Sequence, residues 1–378
     1  MDIGRHGQGV QMIRAVVIGA AGYTGAETVR WLLGHPSFEL VAASSDSDAG
    51  SPLSALYPGL MGKSDLSFAT HEDALACAGI RVVFLAVPHT VALSMVPTLM
   101  QRGIAVIDLS ADFRLKDAQE YEQWYQTPHT AKDLLEHAVY GLPEINRATL
   151  IESSKAWNNQ MSSTKSNKAT VLPPLVANPG CYPTASVLAI APALSAGLVV
   201  GEAPIIINAL SGVSGAGRKA TVTTHFCSAS DDLTAYGVTV HRHTPEIIQA
   251  LSAISGQSVS AVFTPHLVPL KRGMLATAVL PLSPGVGVDI IEKTYAKAYE
   301  HEPFVSVLPF GSMPHSSSVR GTNNAQVGIA YDARAQSLVV SCAIDNLGKG
   351  AASQAIQNAN IIFGLPETEG LDGLGTLV

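Results

Sequence analysis

One cysteine in this chain stands where its thiol could act as a nucleophile. Cys181 lies within Asn178-Pro-Gly-Cys-Tyr-Pro-Thr184, directly before a helical run over 185–194. Unpaired N–H groups and the dipole at a helix N-terminus stabilise a thiolate and lower its pKa. We therefore predict that Cys181 occupies an exposed turn and forms covalent intermediates, whereas Cys77 and Cys342 fit buried, inert thiols.

A thiolate that attacks acyl groups needs a partner for its proton, and one of the 12 histidines suits that task. The segment His241-Arg-His-Thr-Pro-Glu246 predicts a helix that begins at Pro245, with Thr244 as its cap and His243 at its entry. We expect His243 to be the general acid/base, and Glu246 either to orient the imidazole or to bind substrate. No third ligand cluster lies near the His-x-His pair, so the sequence predicts no metal site.

Glycines follow the first predicted strand at the spacing G-x-x-G-x-x-G. The turn Gly19-Ala-Ala-Gly-Tyr-Thr-Gly25 separates the apolar run 13–18 from a helix. Such a turn lets backbone N–H groups approach a pyrophosphate at a helix N-terminus. Its position inside a strand–helix–strand unit indicates a dinucleotide site.

The residues after the second predicted strand bear on which dinucleotide binds. Ser44 and Ser45 are small donors that suit a 2′-phosphate and favour NADP, whereas Asp46 and Asp48 suit the ribose hydroxyl of NAD. We predict NADP.

Two further segments have the composition of anion subsites. Ser214 and Arg218 belong to the glycine-rich stretch 211–219, which pairs flexible backbone donors with cations and could equally be a solvated loop. Arg114 follows the predicted strand 104–109, at the sheet edge where ligands bind, and could instead form an ion pair with Asp112.

These residues require two kinds of sheet to position them. Short apolar strands alternate with helices up to 110, which predicts an α/β, Rossmann-type parallel sheet in a dinucleotide-binding domain over 12–180. Strands dominate over 181–346, which predicts an α+β catalytic and oligomerisation domain with a mixed or antiparallel sheet. A helix over 347–378 should return to the first domain. The polar stretch 152–170 has no apolar period and is interpreted as a surface insertion.

Composition excludes several classes of function. The 378 residues carry Lys+Arg 23 against Asp+Glu 30, a net charge of −7, which offers no global footprint for nucleic acid. No apolar run reaches the roughly 20 residues of a membrane span. The 4 scattered cysteines suggest reduced thiols and a cytoplasmic protein, and the 14% of charged residues favours a homo-oligomer, dimer or tetramer.

The order of several motifs carries a family resemblance. The motifs are Gly19–Gly25, Asp108–Arg114, Tyr140–Glu144, Asn178–Thr184, Ser214–Arg218, His241–Glu246 and Asn346–Ala352. Together they resemble the N-acetyl-γ-glutamyl-phosphate reductases of arginine biosynthesis, in the longer of two forms. The similarity runs from about residue 13 to 363, and aspartate-semialdehyde dehydrogenases are more distantly similar.

The resemblance implies roles for residues that match the family's motifs. It implies that Cys181 forms a thioester with the acyl group of N-acetyl-γ-glutamyl phosphate and that His243 is the general acid/base of the NADPH-dependent reduction to the semialdehyde. It associates Arg242 and Glu246 with the active site. Together with Arg114, Ser214 and Arg218 from the anion segments, these are the predicted substrate-binding residues. The cofactor residues are Gly19, Gly22, Tyr23, Thr24, Gly25, Ser44, Ser45 and Pro88, with Asn346, Gly348 and Lys349 on the far side.

Three alternatives remain open from the sequence. The Cys and His motifs also fit an aspartyl-phosphate reductase, because the pocket that would discriminate an N-acyl group has no sequence signature. A reductase of carrier-protein-linked acyl phosphates would need a basic surface, which the net charge of −7 disfavours. A nucleotide-sensing protein without catalysis would not need both Cys181 and His243.

Overall fold

The first predicted strand lies third in a parallel sheet of seven strands. The computed structural model describes residues 12–162, 171–200 and 203–375. The sheet has the order β3-β2-β1-β4-β5-β7-β6, and all of its strand pairs are parallel. Its strands are β1 Ile13–Ile18, β2 Phe38–Ser44, β3 Phe68–Ala69, β4 Val82–Leu85, β5 Ala105–Asp108, β6 Val139–Tyr140 and β7 Leu175–Ala177.

A second sheet of seven strands follows, and it is mixed. Its order is β12-β13-β14-β11-β8-β10-β9, with β8–β10 and β12–β13 parallel and its other pairs antiparallel. Its strands are β8 Ile205–Gly212, β9 Thr234–Ala235, β10 Ala261–Val268, β11 Met274–Pro281, β12 Val305–Val307, β13 Ala325–Asp332 and β14 Ser337–Ile344. The predicted fold class, a Rossmann-type parallel sheet plus an α+β part with a mixed sheet, is confirmed.

Helices cover the first sheet and one face of the second. They are α1 Tyr23–Leu33, α2 Leu53–Leu56, α3 His71–Ala76, α4 Ala92–Gln101, α5 Ala118–Tyr125, α6 Pro143–Ser162, α7 Cys181–Ser195, α8 Phe226–Ala229, α9 His243–Ser255, α10 Val288–Tyr299 and α11 Ser353–Ile362. None of them combines the length and apolarity that crossing a bilayer requires.

Helix α7 is the central element of the second core. Its residues from Tyr182 to Ala193 are all buried, and it packs against β11, β14 and α9. A helix that is apolar all round must be enclosed, because no face of it tolerates water. This packing places its N-terminal residue, Cys181, between the two sheets.

The C-terminal segment returns to the first sheet. A π-helical turn, Gly348–Ala352, leads into α11, which packs against α1 and α6. The polar side chains of α11, among them Gln354 and Asn358, are fully buried.

The interpretation of 152–170 as a polar surface insertion is wrong for its first part. Helix α6 continues to Ser162, and Trp157 is only 2% exposed. The Trp157 indole meets the ring of Phe363 edge-on at 5.5 Å, and the Arg81 guanidinium lies 5.1 Å from its centroid. The single buried side chain of Trp157 therefore attaches this polar stretch to the core, although the stretch has no apolar repeat. Residues 163–170 lie outside the described part of the chain, as do 1–11.

Candidate active site

One long cavity of about 620 Å³ runs from the glycine turn of the first sheet to the start of α7. It opens at the carboxyl ends of β1, β4 and β5, where ligands bind in open α/β sheets. The predicted site residues that line it are Gly19, Gly22, Tyr23, Thr24, Gly25, Ser45, Pro88, Arg114, Cys181, Ser214, Arg218, His243 and Asn346. Groups that lie far apart in the chain therefore share one cleft.

The glycine turn forms a cradle that fits a pyrophosphate. Gly19 has φ +82°, and a Cβ there would overlap the carbonyl of Ala86 on the neighbouring strand connection. A Cβ at Gly25 would overlap the carbonyl of Gly19. Helix α1 begins after Gly22 with no side-chain cap and no acidic residue in its first turn. Its first N–H groups are thus left to an anion in the cavity, as dinucleotide binding requires.

Hydroxyl and cationic groups meet at the far end of this cradle. The Ser45 and Ser47 hydroxyls donate to Asp48 Oδ2 at 2.6 and 2.7 Å, and the pKa of Asp48 is lowered chiefly by these bonds. The guanidinium of Arg218 lies 3.9 Å from the same carboxylate, and Lys219 lines the cavity beside it. The Asp48 carboxylate is thus held by local donors, and Arg218 and Lys219 are the cations at this end of the cavity.

Asp46, the other aspartate after β2, also has a protein partner. Asp46 Oδ1 accepts from the backbone N–H of His71 at 2.8 Å and lies 3.2 Å from His71 Nδ1. Both aspartates therefore have a protein partner. Arg218 and Lys219, the cations of the stretch 211–219, lie at the end of the cradle next to Ser45.

Cys181 is the first residue of α7, as its sequence context predicts, but its turn is not exposed. Pro179 and Gly180 are buried, and a Cβ at Gly350 would come 2.7 Å from the Cys181 Cβ. Burial raises the pKa of the Cys181 thiol to about 11, against the lowering effect of the N–H groups of Tyr182 and Cys181 and of the Arg114 charge. The expected fall in the thiol pKa is therefore wrong for the protein without bound ligands, because desolvation outweighs the helix terminus.

His243 lies against the backbone that precedes Cys181. A Cβ at Gly180 would overlap the His243 ring and would come 3.0 Å from Arg114 Nη1. His243 Nδ1 is buried with no hydrogen-bond partner among the described residues. Burial, with the neighbouring His241 ring and the positive charge of Arg114, holds the pKa of His243 well below its usual value. The imidazole is neutral at pH 7 and can accept a proton.

The helix that carries His243 begins earlier than the sequence suggests. Helix α9 starts at His243 itself, and Thr244 does not cap it, since its buried hydroxyl has no partner in the described structure. The His243 N–H instead donates to His241 Nδ1 at 3.1 Å. The His241 ring therefore takes over the positioning that the pattern assigned to Thr244.

Glu246 makes no hydrogen bond with the His243 imidazole. It binds instead to the turn that precedes Cys181. Its Oε1 accepts from the Gly180 N–H and the Tyr140 hydroxyl, both at 2.9 Å, and its Oε2 lies 3.3 Å from Arg114 Nη1. Glu246 is 1% exposed and does not line the cavity. Arg114 pairs with this residue and not with Asp112, so its charge is held beside Cys181 by a buried ion pair.

Other predicted contacts are absent from the cavity lining, each for a physical reason. The Arg242 guanidinium lies over the Tyr125 ring, 5.5 Å from its centroid. Lys349 is fully buried, with Nζ 2.6 Å from Glu144 Oε1 and 2.7 Å from Gln357 Oε1, so it is a packed ion pair and not a cofactor ligand.

Two more cofactor predictions need correction. The Ser44 side chain is buried away from the cavity, and its carbonyl instead accepts from the N–H groups of Gly19 and Ala20 at 3.1 and 2.8 Å. Gly348 is a close-packing position, because a Cβ there would overlap the carbonyl of Thr322. Both residues shape the cleft without lining it.

Sequence reasoning missed several residues that line the cavity. They are Ser47, His71, His89, Asn178, Gly350 and Ala351. Their common signal is position, because most of them directly follow a strand or sit within one residue of a predicted site residue. Within the described ranges no group of three His, Cys, Asp or Glu side chains is arranged to hold a metal ion.

Family models and curated relatives match most of the chain. Residues 14–153 match the semialdehyde dehydrogenase NAD binding domain, and residues 181–346 match the semialdehyde dehydrogenase dimerisation domain. N-acetyl-gamma-glutamyl-phosphate reductase of Pelotomaculum thermopropionicum is 46% identical over 96% of this chain and 99% of its own. The protein of the same name from Nitrosococcus oceani is 46% identical over 95% of this chain and 98% of its own.

Solved structures show the same fold at lower identity. Aspartate semialdehyde dehydrogenase II of Vibrio cholerae, complexed with ASA, superposes with a TM-score of 0.68 at 15% identity. Aspartate semialdehyde dehydrogenase of Candida albicans, with NADP, superposes with a TM-score of 0.66 at 16% identity. Each match covers 93% of this chain and 98% of the solved chain.

Proposed function

The chain belongs to the N-acetyl-γ-glutamyl-phosphate reductase family, and from that premise we propose that it reduces N-acetyl-γ-glutamyl phosphate to N-acetyl-L-glutamate 5-semialdehyde and phosphate with NADPH. One observation carries the proposal. A single cavity joins the glycine cradle to Cys181 and His243, so a dinucleotide and an acyl group can meet at the sulfur.

The cofactor is NADP, and the cradle identifies the residues that would hold it. Gly19, Gly22 and the first turn of α1 would receive the pyrophosphate, while Ser45 and Arg218 would meet the 2′-phosphate. When bound, NADPH supplies the hydride that reduces the acyl group attached to the enzyme.

Cys181 and His243 perform the covalent part of the reaction. Neutral His243 takes the proton of the Cys181 thiol as sulfur bonds to the acyl carbon. The bond from that carbon to the phosphate oxygen then breaks, and phosphate leaves with the electron pair. A thioester results, which splits one difficult reduction into two easier steps.

The same pair completes the reaction after reduction. As the carbonyl of the semialdehyde forms, the carbon–sulfur bond breaks and sulfur leaves as a thiolate. Protonated His243 returns its proton to that sulfur, which restores the neutral pair. The N–H groups of Cys181 and Tyr182 at the start of α7 lie beside the sulfur, where they stabilise its negative charge and would be near the acyl oxygen of the bound intermediate.

Both groups are uncharged before the reaction, which explains why a base is needed. Burial raises the pKa of Cys181 to about 11 and lowers that of His243, so the free enzyme holds a neutral thiol beside a neutral imidazole. Proton transfer then accompanies attack on the acyl carbon and does not precede it. The Arg114 charge, held by Glu246, favours the thiolate as it forms.

We propose a homo-oligomer that forms through the open face of the second sheet. Ile206 on β8 and Val262 on β10 are register partners and are 37% and 47% exposed. Adjacent apolar side chains on a sheet face suit a second copy of the chain, and the matching family model is a dimerisation domain. Analytical ultracentrifugation should show a dimer or larger, and a monomer at micromolar concentration would contradict this.

The four free cysteines support the further proposal of a cytoplasmic protein.

The decisive experiment runs the reaction in reverse. Phosphate-dependent reduction of NADP⁺ is measured with N-acetyl-glutamate semialdehyde, in wild type and Cys181→Ser, with aspartate semialdehyde in parallel. Activity on the acetylated substrate that the serine variant abolishes is the expected result. A preference for aspartate semialdehyde would overturn the substrate assignment, and activity in the serine variant would overturn the thioester.

A further inference from the structure

The turn after β4 carries a histidine that the proposed mechanism leaves without a role. His89 lies between Pro88 and Thr90, and Thr90 has φ +77°, in the region that favours glycine. A β-branched residue rarely adopts this conformation, and strained backbone often marks functional sites. The Thr90 N–H donates to Asp112 Oδ1 at 2.8 Å, which holds the turn in place.

A backbone contact assigns the tautomer of His89. The Ala111 N–H donates to His89 Nδ1 at 3.2 Å, so Nδ1 offers a lone pair and the proton of the neutral ring resides on Nε2. The His89 side chain is exposed to solvent, and partial desolvation with the charges of Arg114 and Arg242 lowers its pKa to about 4, against the raising effect of Asp112. His89 Nε2 is thus a neutral N–H donor at working pH, and among the described residues it has no acceptor.

This donor lies in the same cavity as the nucleophile. His89 lines the cleft with Cys181, His243 and Arg114, and the Tyr125 ring meets it edge-on at 5.4 Å. Aromatic packing on one side and the Ala111 bond on the other restrict how the imidazole can turn. Its orientation is therefore set before substrate arrives.

Arg114 by itself leaves the reacting phosphate short of donors. Its Nε donates to the Asn178 carbonyl at 2.8 Å and its Nη2 to the Leu109 carbonyl at 3.0 Å, while its Nη1 lies 3.3 Å from Glu246. The guanidinium supplies positive charge but has few N–H groups to spare. A dianionic phosphoryl group needs further donors, and His89, which lines the same cavity, offers one.

We propose that His89 is a catalytic residue whose Nε2–H donates to a phosphoryl oxygen of the acyl phosphate, and so to the departing phosphate. The assignment rests on the proposed function. The acyl oxygen is a less suitable acceptor, because it forms beside the Cys181 sulfur, where the N–H groups of α7 lie. Two cations, Arg114 and Arg242, and one carboxylate, Asp112, act on His89, so the surrounding charge is net positive and favours an anion.

The reverse reaction separates phosphate binding from thiol chemistry. Mixing enzyme with NADP⁺ and N-acetyl-glutamate semialdehyde, without phosphate, gives a burst of NADPH and leaves the acyl group on Cys181. Added phosphate then attacks the thioester carbonyl. A carbon–oxygen bond forms, the carbon–sulfur bond breaks, and sulfur leaves as a thiolate that takes up a proton.

His89→Ala should raise KM for phosphate by about 10- to 100-fold, the effect of losing a hydrogen bond to a charged group. The phosphate-independent burst should keep its amplitude and rate. His89→Gln retains an N–H donor and should recover part of the loss. Exposed His301, outside the cavity, provides the matched control His301→Ala, whose KM for phosphate should equal that of wild type.

Three results would overturn this role for His89. An unchanged KM for phosphate removes it directly. A burst that falls by the same factor shows a structural or acyl-oxygen role, and a change confined to KM for NADP⁺ shows a cofactor contact. If wild type lacks phosphate-dependent activity on the acetylated semialdehyde, the proposed function fails instead, whatever the His89 variants do.

Discussion

The floor and the rim of the cavity hold their charges in opposite ways. The floor consists of Cys181 and His243 with Arg114 and Glu246 beneath them, and its ion pair is 6% and 1% exposed. The rim is the largely exposed segment 217–242, of which residues 217–219 line the cavity, and its Arg218 is 40% exposed and 3.9 Å from Asp48. On the proposed function, Cys181 and His243, which form and release the thioester, are preorganised by burial, whereas Arg218, which would meet the cofactor, remains in contact with water.

We expect the largest loss of activity when His243, the histidine of the floor, is replaced. His243→Asn removes the proton acceptor and should lower kcat/KM about 1,000-fold, within the usual range for general acid–base catalysis. His225→Asn is the matched change on the rim, where the exposed His225 ring accepts from the Cys227 N–H at 3.4 Å. In steady-state assays, kcat/KM of that variant should be close to that of wild type. Equal losses in both variants would show that the two regions are not functionally distinct.

Breaking the floor ion pair should have the next largest effect. Glu246→Gln keeps an oxygen for the Gly180 N–H but leaves Arg114 without a counter-charge, at a cost of about 3 kcal/mol in the free energy of unfolding. Urea denaturation of wild type and of the variant measures this loss in the free energy of unfolding.

A surface pair serves as the control for that measurement. Glu39→Gln breaks the half-exposed pair with Arg14 and should cost less than about 1 kcal/mol. If the two variants lose the same free energy of unfolding, burial does not distinguish the floor from the surface.

The charge state of the floor can be tested by alkylation. With the pKa of Cys181 raised to about 11, iodoacetamide should modify it about 100-fold more slowly at pH 7 than a thiol at the ordinary value of 9.0. The rate should rise about tenfold per pH unit up to pH 10, because a raised pKa keeps the thiol protonated until the pH approaches it. Mass spectrometry follows Cys181, with the exposed Cys227 as an internal reference. A plateau below pH 8 would show a stabilised thiolate in the free enzyme.

The smallest expected effect belongs to the rim. Arg218→Ala removes an exposed cation from the end of the cradle and should raise KM for NADPH about tenfold, with KM for NADH unchanged. The loss should shrink at high salt, because exposed charges are screened. An equal rise in both KM values would place Arg218 elsewhere than at the 2′-phosphate.

Local patterns were sufficient for much of the fold and part of the site. The G-x-x-G-x-x-G turn, the parallel strands and the helix that begins at Cys181 all depend on neighbours within about one helical turn or strand. Trp157 shows where such patterns fail, because a single apolar residue in a polar run has no period to detect. Lys349 shows the same failure, since its partner Glu144 lies 205 residues away.

The sequence by itself determined which groups are present and which of them begin helices or follow strands, because these properties depend on short-range backbone geometry. Only the tertiary structure decided their charge states and partners. Glu246 pairs with Arg114 across 132 residues, and the enclosure of α7 raises the thiol pKa of Cys181 against its helix terminus. Desolvation depends on every segment packed around a group, and no local pattern records that packing.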